Sequence, residues 1–148
     1  MFYNTKYLKS ESISFKKVNE KWGDFSNMSN LPVKVNGIIF KNTEMLYQVM
    51  RFTEYPEIQR ELINQKSPMS VKMISKKYRK QGFTRKNWGD ENVKSINNND
   101  RVKIMEWCLR LKLRDNFKEI SALLLASKNL DIIEYAPRKS DIFWELIQ

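Results

Sequence analysis

Val33-Lys34-Val35-Asn36-Gly37-Ile38-Ile39-Phe40 is followed, after one residue, by Asn42-Thr43-Glu44-Met45-Leu46-Tyr47-Gln48-Val49-Met50-Arg51-Phe52. The two β-prone runs flank Asn-Gly, a pair that readily takes the positive φ of a type I′ turn, and so predict a tight hairpin. From Thr43 the period changes. Leu46, Val49, Met50 and Phe52 fall at roughly helical spacing, and Asn42 or Thr43 can cap the start by accepting an orphan backbone N–H. Working outward, helical patterns cover 43–54, 56–65 with Pro56 near the first position, 68–79 with Ser67 as cap and Pro68 at the first position, 100–115 and 117–126. Shorter helices are predicted at 90–96 and 140–146, and strands at 12–18 and 130–135. The expected fold is α+β and mainly helical, a single domain over 13–148 around a small sheet, with residues 1–12 a flexible leading segment.

Composition narrows the chemistry. At 148 residues the chain suffices for one domain with a real core, and 41% hydrophobic content places it on the folded side of the disorder boundary. Twenty-seven basic residues against 17 acidic ones leave +10, a charge suited to phosphate or nucleic acid and equally produced by an AT-rich coding bias. Histidine is absent, which excludes Ser-His-Asp and Cys-His catalysis and removes the commonest metal ligand. The single Cys108 excludes an internal disulfide, and its apolar helical context predicts a buried, inert thiol. No signal-like or spanning apolar run is found, so an intracellular, cytoplasmic protein without membrane contact is expected. Neither a cofactor nor a metal is implied, since the carboxylates do not form an Asp-rich cluster.

Polar residues in apolar settings are the candidates for function. Glu44 lies in the first turn of its helix, with Tyr47 and Gln48 on the same face, and serves either as a reactive carboxylate or as a partner of the helix dipole. Phe25-Ser26-Asn27 forms a loop able to meet a ligand, or an ordinary turn. Trp88, in a hydrophilic loop, either stacks on a flat base or packs on the core. Lys72 follows Ser67-Pro68, and Glu134, Arg138, Asp141 and Trp144 gather near the terminus. Without histidine, two carboxylates and a lysine are left for acid–base work, and paired carboxylates suit hydrolysis at an anomeric carbon.

The ordered set Phe25-Ser26-Asn27, Asn36-Gly37, Phe40, Thr43-Glu44, Tyr47-Gln48, Arg51-Phe52, Ser67-Pro68, Lys72, Trp88, Met105, Lys112, Leu123-Leu124, Glu134, Asp141 and Trp144 resembles the NADAR domain, the YbiA-like N-glycosidase family. The resemblance covers about residues 13–145 and implies hydrolysis of an N-glycosidic bond between a (phospho)ribosyl or ADP-ribosyl group and a base or amine. Small ribosylamino-pyrimidine phosphates of early riboflavin synthesis and ADP-ribosylated guanine in nucleic acid are the substrates it suggests. It implies Glu44 as catalytic acid, Asp141 as second carboxylate, Trp88 as aromatic platform and Ser26 and Asn27 as binding loop. Lys72 would bind phosphate or, more boldly, attack a ring-opened sugar imine. Tyr47, Phe25, Glu134 and Trp144 complete the expected substrate contacts.

Three departures accompany the resemblance. Met45 stands where many relatives carry histidine, Lys112-Leu113 replaces Lys-Phe, and Trp144-Glu145-Leu146-Ile147-Gln148 lacks the glycine-rich tail with an Asn. Part of the pocket wall is therefore expected to be missing, which bears on substrate range and activity. The competing expectations are an ADP-ribosyl-guanine hydrolase acting on nucleic acid, in an antitoxin or counter-defence role, and a non-catalytic nucleic-acid binder with the basic segments 68–86 and 100–118 on phosphates. Oligomeric state is left open.

Overall fold

In the structure, a computed structural model that describes residues 8, 10–89 and 99–135, strands β2 (Val33–Val35) and β3 (Ile38–Phe40) form the expected antiparallel hairpin. Asn36 and Gly37 take φ of 49° and 80°, the left-handed values that a type I′ turn demands. Helix α1 (Thr43–Met50) follows, then α2 (Pro56–Ile63), α3 (Pro68–Lys80), α4 (Asp100–Asp115) and α5 (Phe117–Ser127). Strands β1 (Ser12–Phe15) and β4 (Asp131–Glu134) bracket them in the chain. The fold is α+β and mainly helical. The helices expected at 90–96 and 140–146 lie outside the described residues.

Helix α1 is the hub, packed against α2, α3, α4 and the hairpin. Thr43 through Val49 are all buried, so this helix has no solvent face and draws Glu44, Tyr47 and Gln48 into the interior. The core around it is built from Val33, Phe40, Met45, Leu46, Phe52, Leu62, Val71 and Met105. The helix stops at Met50, short of the expected residue 54. Residues 51–55 instead close turns through Phe52 N–H to Val49 and Tyr55 N–H to Phe52, because Pro56 disfavours helical backbone at Tyr55. On α4 the inward stripe is Arg101, Met105, Cys108, Leu111 and Lys112, so a lysine and an arginine share the buried face with apolar residues.

The sheet differs from the single small sheet expected. Among the described residues there are two separate two-stranded sheets, the hairpin and a parallel β1–β4 pair with Ser12 opposite Asp131 and Phe15 opposite Glu134. A parallel pair needs a crossover, and here nearly the whole domain is that crossover. Strand β1 ends at Phe15, earlier than expected, because the Glu20 carboxylate accepts the backbone N–H groups of Lys16 and Lys17 at 3.0 and 3.2 Å and turns the chain. Gly23 is required in the following turn: a Cβ there would lie 2.1 Å from the Val18 carbonyl oxygen. At the other end of the hairpin, Asp115 accepts the Lys34 N–H at 2.7 Å and Arg114 donates to the Lys34 carbonyl at 2.6 Å, which pins the end of α4 to β2.

Candidate active site

The site grows from the start of α1. Asn42 caps the helix, its Oδ1 accepting the Met45 N–H at 2.8 Å, and so sets the first turn on which Glu44 stands. The Glu44 side chain is only 4% exposed. Its Oε1 accepts from Gln48 Nε2 at 2.9 Å, one turn along, and Ser75 Oγ on α3 donates to Gln48 Oε1 at 2.5 Å. The amide therefore has one available orientation, with its NH₂ end committed to the carboxylate. Burial pushes the Glu44 pKa up, while the Gln48 bond and the charges of Lys72 and Arg79 pull it down less strongly. The result is a carboxyl group biased towards its protonated form.

The Phe25-Ser26-Asn27 loop lies against this turn. Asn27 C=O accepts the Glu44 N–H at 2.9 Å, and Asn27 Nδ2 reaches Met105 Sδ on α4 at 3.5 Å. Ser26 is buried and its carbonyl accepts from Lys112 Nζ at 2.8 Å. Lys112 is 3% exposed, and burial pushes its pKa down to about 8 against the opposing pull of Asp24 and Glu134. Glu134 reaches this neighbourhood because the β1–β4 register sets it beside Phe15. Phe25 packs between Phe15 and Trp22, with ring centroids 6.1 Å from each, and so anchors the loop. Three buried oxygens here, Asn27 Oδ1, Ser29 Oγ and Thr43 Oγ1, have no hydrogen-bond partner among the described residues.

Tyr47 lies 5.1 Å from Trp88, tilted 48°, and the Arg51 guanidinium is 5.1 Å from the centre of the Trp88 ring. Trp88 is 1% exposed and belongs to the hydrophobic core. Of its two expected roles the structure shows core packing, because Tyr47 and Arg51 occupy the places a stacked base would need. The indole also orders the chain: the carbonyls of Asn87 and Trp88 accept the first N–H groups of α4, from Asp100 and Arg101. Lys72 is exposed on α3 and close enough for its charge to be felt at Glu44. Asp141 and Trp144 lie outside the described residues. Cys108 is fully buried with its thiol pKa pushed up by burial and by Glu44, the inert thiol expected.

The structure thus joins Glu44, Tyr47, Ser26, Asn27 and Lys72 around the first turn of α1. Gln48 holds Glu44 from the face expected of it, the structure adds Ser75 and Arg79 as groups that hold or polarise that pair, and Lys112 is buried with its ammonium on the Ser26 carbonyl. Lys112 belongs to the ordered set that carries the family resemblance, and it lies four residues beyond Cys108 and seven beyond Met105, on the apolar stripe of α4. Ser75 and Arg79 had none.

The model of the NADAR domain matches residues 14–146 of the chain. The chain belongs to the NADAR domain family. N-glycosidase YbiA of Escherichia coli (strain K12) and N-glycosidase YbiA of Shigella boydii serotype 4 (strain Sb227) are each 30% identical to it over 132 residues, which cover 89% of this chain and 73% of theirs. The NMR structure of the E. coli protein YbiA matches with a TM-score of 0.66 at 27% identity, over 90% of this chain and 72% of that one. In this NADAR domain the buried glutamate thus stands within a fold shared with proteins named N-glycosidases.

Proposed function

We propose that this NADAR domain is an N-glycosidase that hydrolyses the bond between a (phospho)ribosyl or ADP-ribosyl group and a base or amine. The observation that carries the reading is Glu44, a buried carboxyl held by Gln48 and biased towards protonation. A general acid needs that bias to be protonated near neutral pH. As the C1′–N bond breaks, Glu44 delivers its proton to the departing nitrogen, and charge builds on the sugar as an oxocarbenium-like centre. Asp141, the second carboxylate by family resemblance, stabilises that charge or takes a proton from the water whose oxygen bonds C1′. Exposed Lys72 contacts the phosphate, and the unpartnered Asn27 Oδ1 and Thr43 Oγ1 are available to sugar hydroxyls. Tyr47, Phe25 and Glu134 line or support the pocket, with Trp88 beneath Tyr47 as a packed support, and Trp144 is a substrate contact by family resemblance alone.

Incubation with a ribosylamino-pyrimidine phosphate, and separately with an ADP-ribosylated guanine oligonucleotide, followed by mass spectrometry, tests the reading. Release of free base or amine is expected. Glu44→Gln is expected to lower turnover by about 10²–10⁴-fold with folding intact. Unchanged turnover in that variant removes Glu44 from the mechanism. Borohydride trapping on Lys72 reports an imine if the sugar opens.

A second reading, action on ADP-ribosylated nucleic acid, is favoured by one observation: Lys72, Lys76, Lys77 and Lys80 are all exposed along α3.

A further inference from the structure

Away from the residues of the active site, a groove of about 540 Å³ runs beside α2, lined by Glu54, Glu57 and Glu61 and by Tyr55, Tyr78 and Phe83. Its aromatic wall is three-sided. Phe83 stands nearly perpendicular to Tyr55 (centroids 5.2 Å apart, 79°) and to Tyr78 (6.1 Å, 75°). The face of each ring is the negative part of its quadrupole, so a ring face turned to the groove attracts a cation. The chain supplies its own demonstration, with Lys77 Nζ 5.3 Å from the centre of the Tyr78 ring.

The acidic rim has no ion pair of its own. Among the described residues, none of Glu54, Glu57 and Glu61 is paired with a lysine or arginine. Glu61 accepts the Tyr78 hydroxyl and Glu54 accepts the Lys86 backbone N–H at 3.2 Å, neither of which cancels a charge. Glu57 and Glu61 stand one turn apart on α2, with Glu57 in the first turn where the helix dipole favours its charge. Two cations stand close by, Arg60 on α2 and Lys77 at the Tyr78 ring, so the rim is a local excess of three carboxylates over these two.

The spacing distinguishes the ligand. Among the described residues no three acidic side chains converge closely enough to hold a metal ion, so the charges along this rim are spread out. An extended ligand with several separated positive charges and an apolar chain between them matches spread carboxylates and aromatic walls. A compact hydrated cation matches neither. We propose that this groove binds a linear polyamine, its ammonium groups paired with Glu54, Glu57 and Glu61 and its methylenes laid on Tyr55, Tyr78 and Phe83.

Isothermal titration of the full chain with spermidine tests this. A single saturable site is expected, weaker for putrescine and weaker still for tetramethylammonium or Mg²⁺. The double variant E57Q/E61Q is expected to lose about tenfold in affinity, as two exposed charge pairs would. Phe83→Leu, conservative enough to keep the wall packed, is expected to lose about fourfold. Glycosidase turnover in E57Q/E61Q should be unchanged, so failure here and failure of the active-site reading are separate results. No saturable binding at millimolar spermidine overturns the proposal. So does equal binding by Mg²⁺, tighter binding of an oligoarginine peptide of matched charge, or undiminished affinity in variants whose near-ultraviolet circular dichroism is native.

Discussion

Glu44 is a cost to the fold as well as the centre of its chemistry. Its folded pKa is raised by burial above the value of about 4.5 that it has in an open chain, so the folded state binds its proton more tightly than the unfolded state. The stabilisation that follows is fully present below the unfolded pKa and is lost as pH rises through the folded one. Glu44→Gln keeps an oxygen to accept from Gln48 and removes the charge. The variant is expected to melt at a higher temperature than the parent near neutral pH, with the gap closing in acid. Thermal melts across pH check this, and coincident curves near pH 8 would sink it. Lys112 has the opposite dependence. Its pKa falls from 10.5 to about 8, so between those values the unfolded chain holds a proton that the folded one has released. Stability contributed by this site therefore rises with pH across that window, by at most roughly 3 kcal/mol. Urea unfolding of the parent against Lys112→Met, at pH values spanning the window, should show the parent gaining relative to the variant. A constant difference would mean that Lys112 does not titrate there.

At the scale of elements, the two side-chain caps form a matched experiment. Asn42 caps α1 and Ser67 caps α3, each accepting a backbone N–H three residues on. Either residue changed to Ala should cost about 1 kcal/mol, read as a lower denaturant midpoint. Only Asn42→Ala should also lower turnover, because its cap sets the turn that carries Glu44; equal turnover in both would separate cap geometry from catalysis. These caps, the Asn-Gly hairpin and the proline-started helices were legible because each is set by residues within one turn of one another. The parallel β1–β4 pair was not, since it joins segments more than 100 residues apart and nothing local specifies a partner. The same limit hid Ser75 and Arg79, whose relation to Glu44 exists only once α3 packs on α1. Trp88 was ambiguous for a related reason: its polar neighbours suggested exposure, while Tyr47 and Arg51, which bury it, come from another element. Lys112 was named by the resemblance, but its burial needed the register of α4, because an apolar stripe read from hydrophobic residues alone passes over a lysine within it.

For the whole molecule the question is whether a net charge of +10 belongs to the substrate. Lys72, Lys76 and Lys80 follow one another at i, i+4 and i+8 along one exposed face of α3, beside a separate row of exposed Met69 and Met73, and Lys77 is directed to the Tyr78 ring. Such a row can track a phosphate backbone or face solvent alone, and the two differ in their response to salt. Counterion release gives a quantitative test. A protein neutralising Z phosphates loses affinity with a slope of about −0.7Z to −0.9Z in log–log plots against salt, so engagement of Lys76, Lys77 and Lys80 would contribute about −2 to −3. For a ribosylamino-pyrimidine phosphate, KM is expected to change little between low and physiological salt, and the triple change K76Q/K77Q/K80Q should leave kcat/KM within about twofold, since surface charges beyond a Debye length are screened. A steep salt slope on an ADP-ribosylated oligonucleotide, abolished by the same triple change, would instead place the substrate in nucleic acid and give the α3 lysines their role.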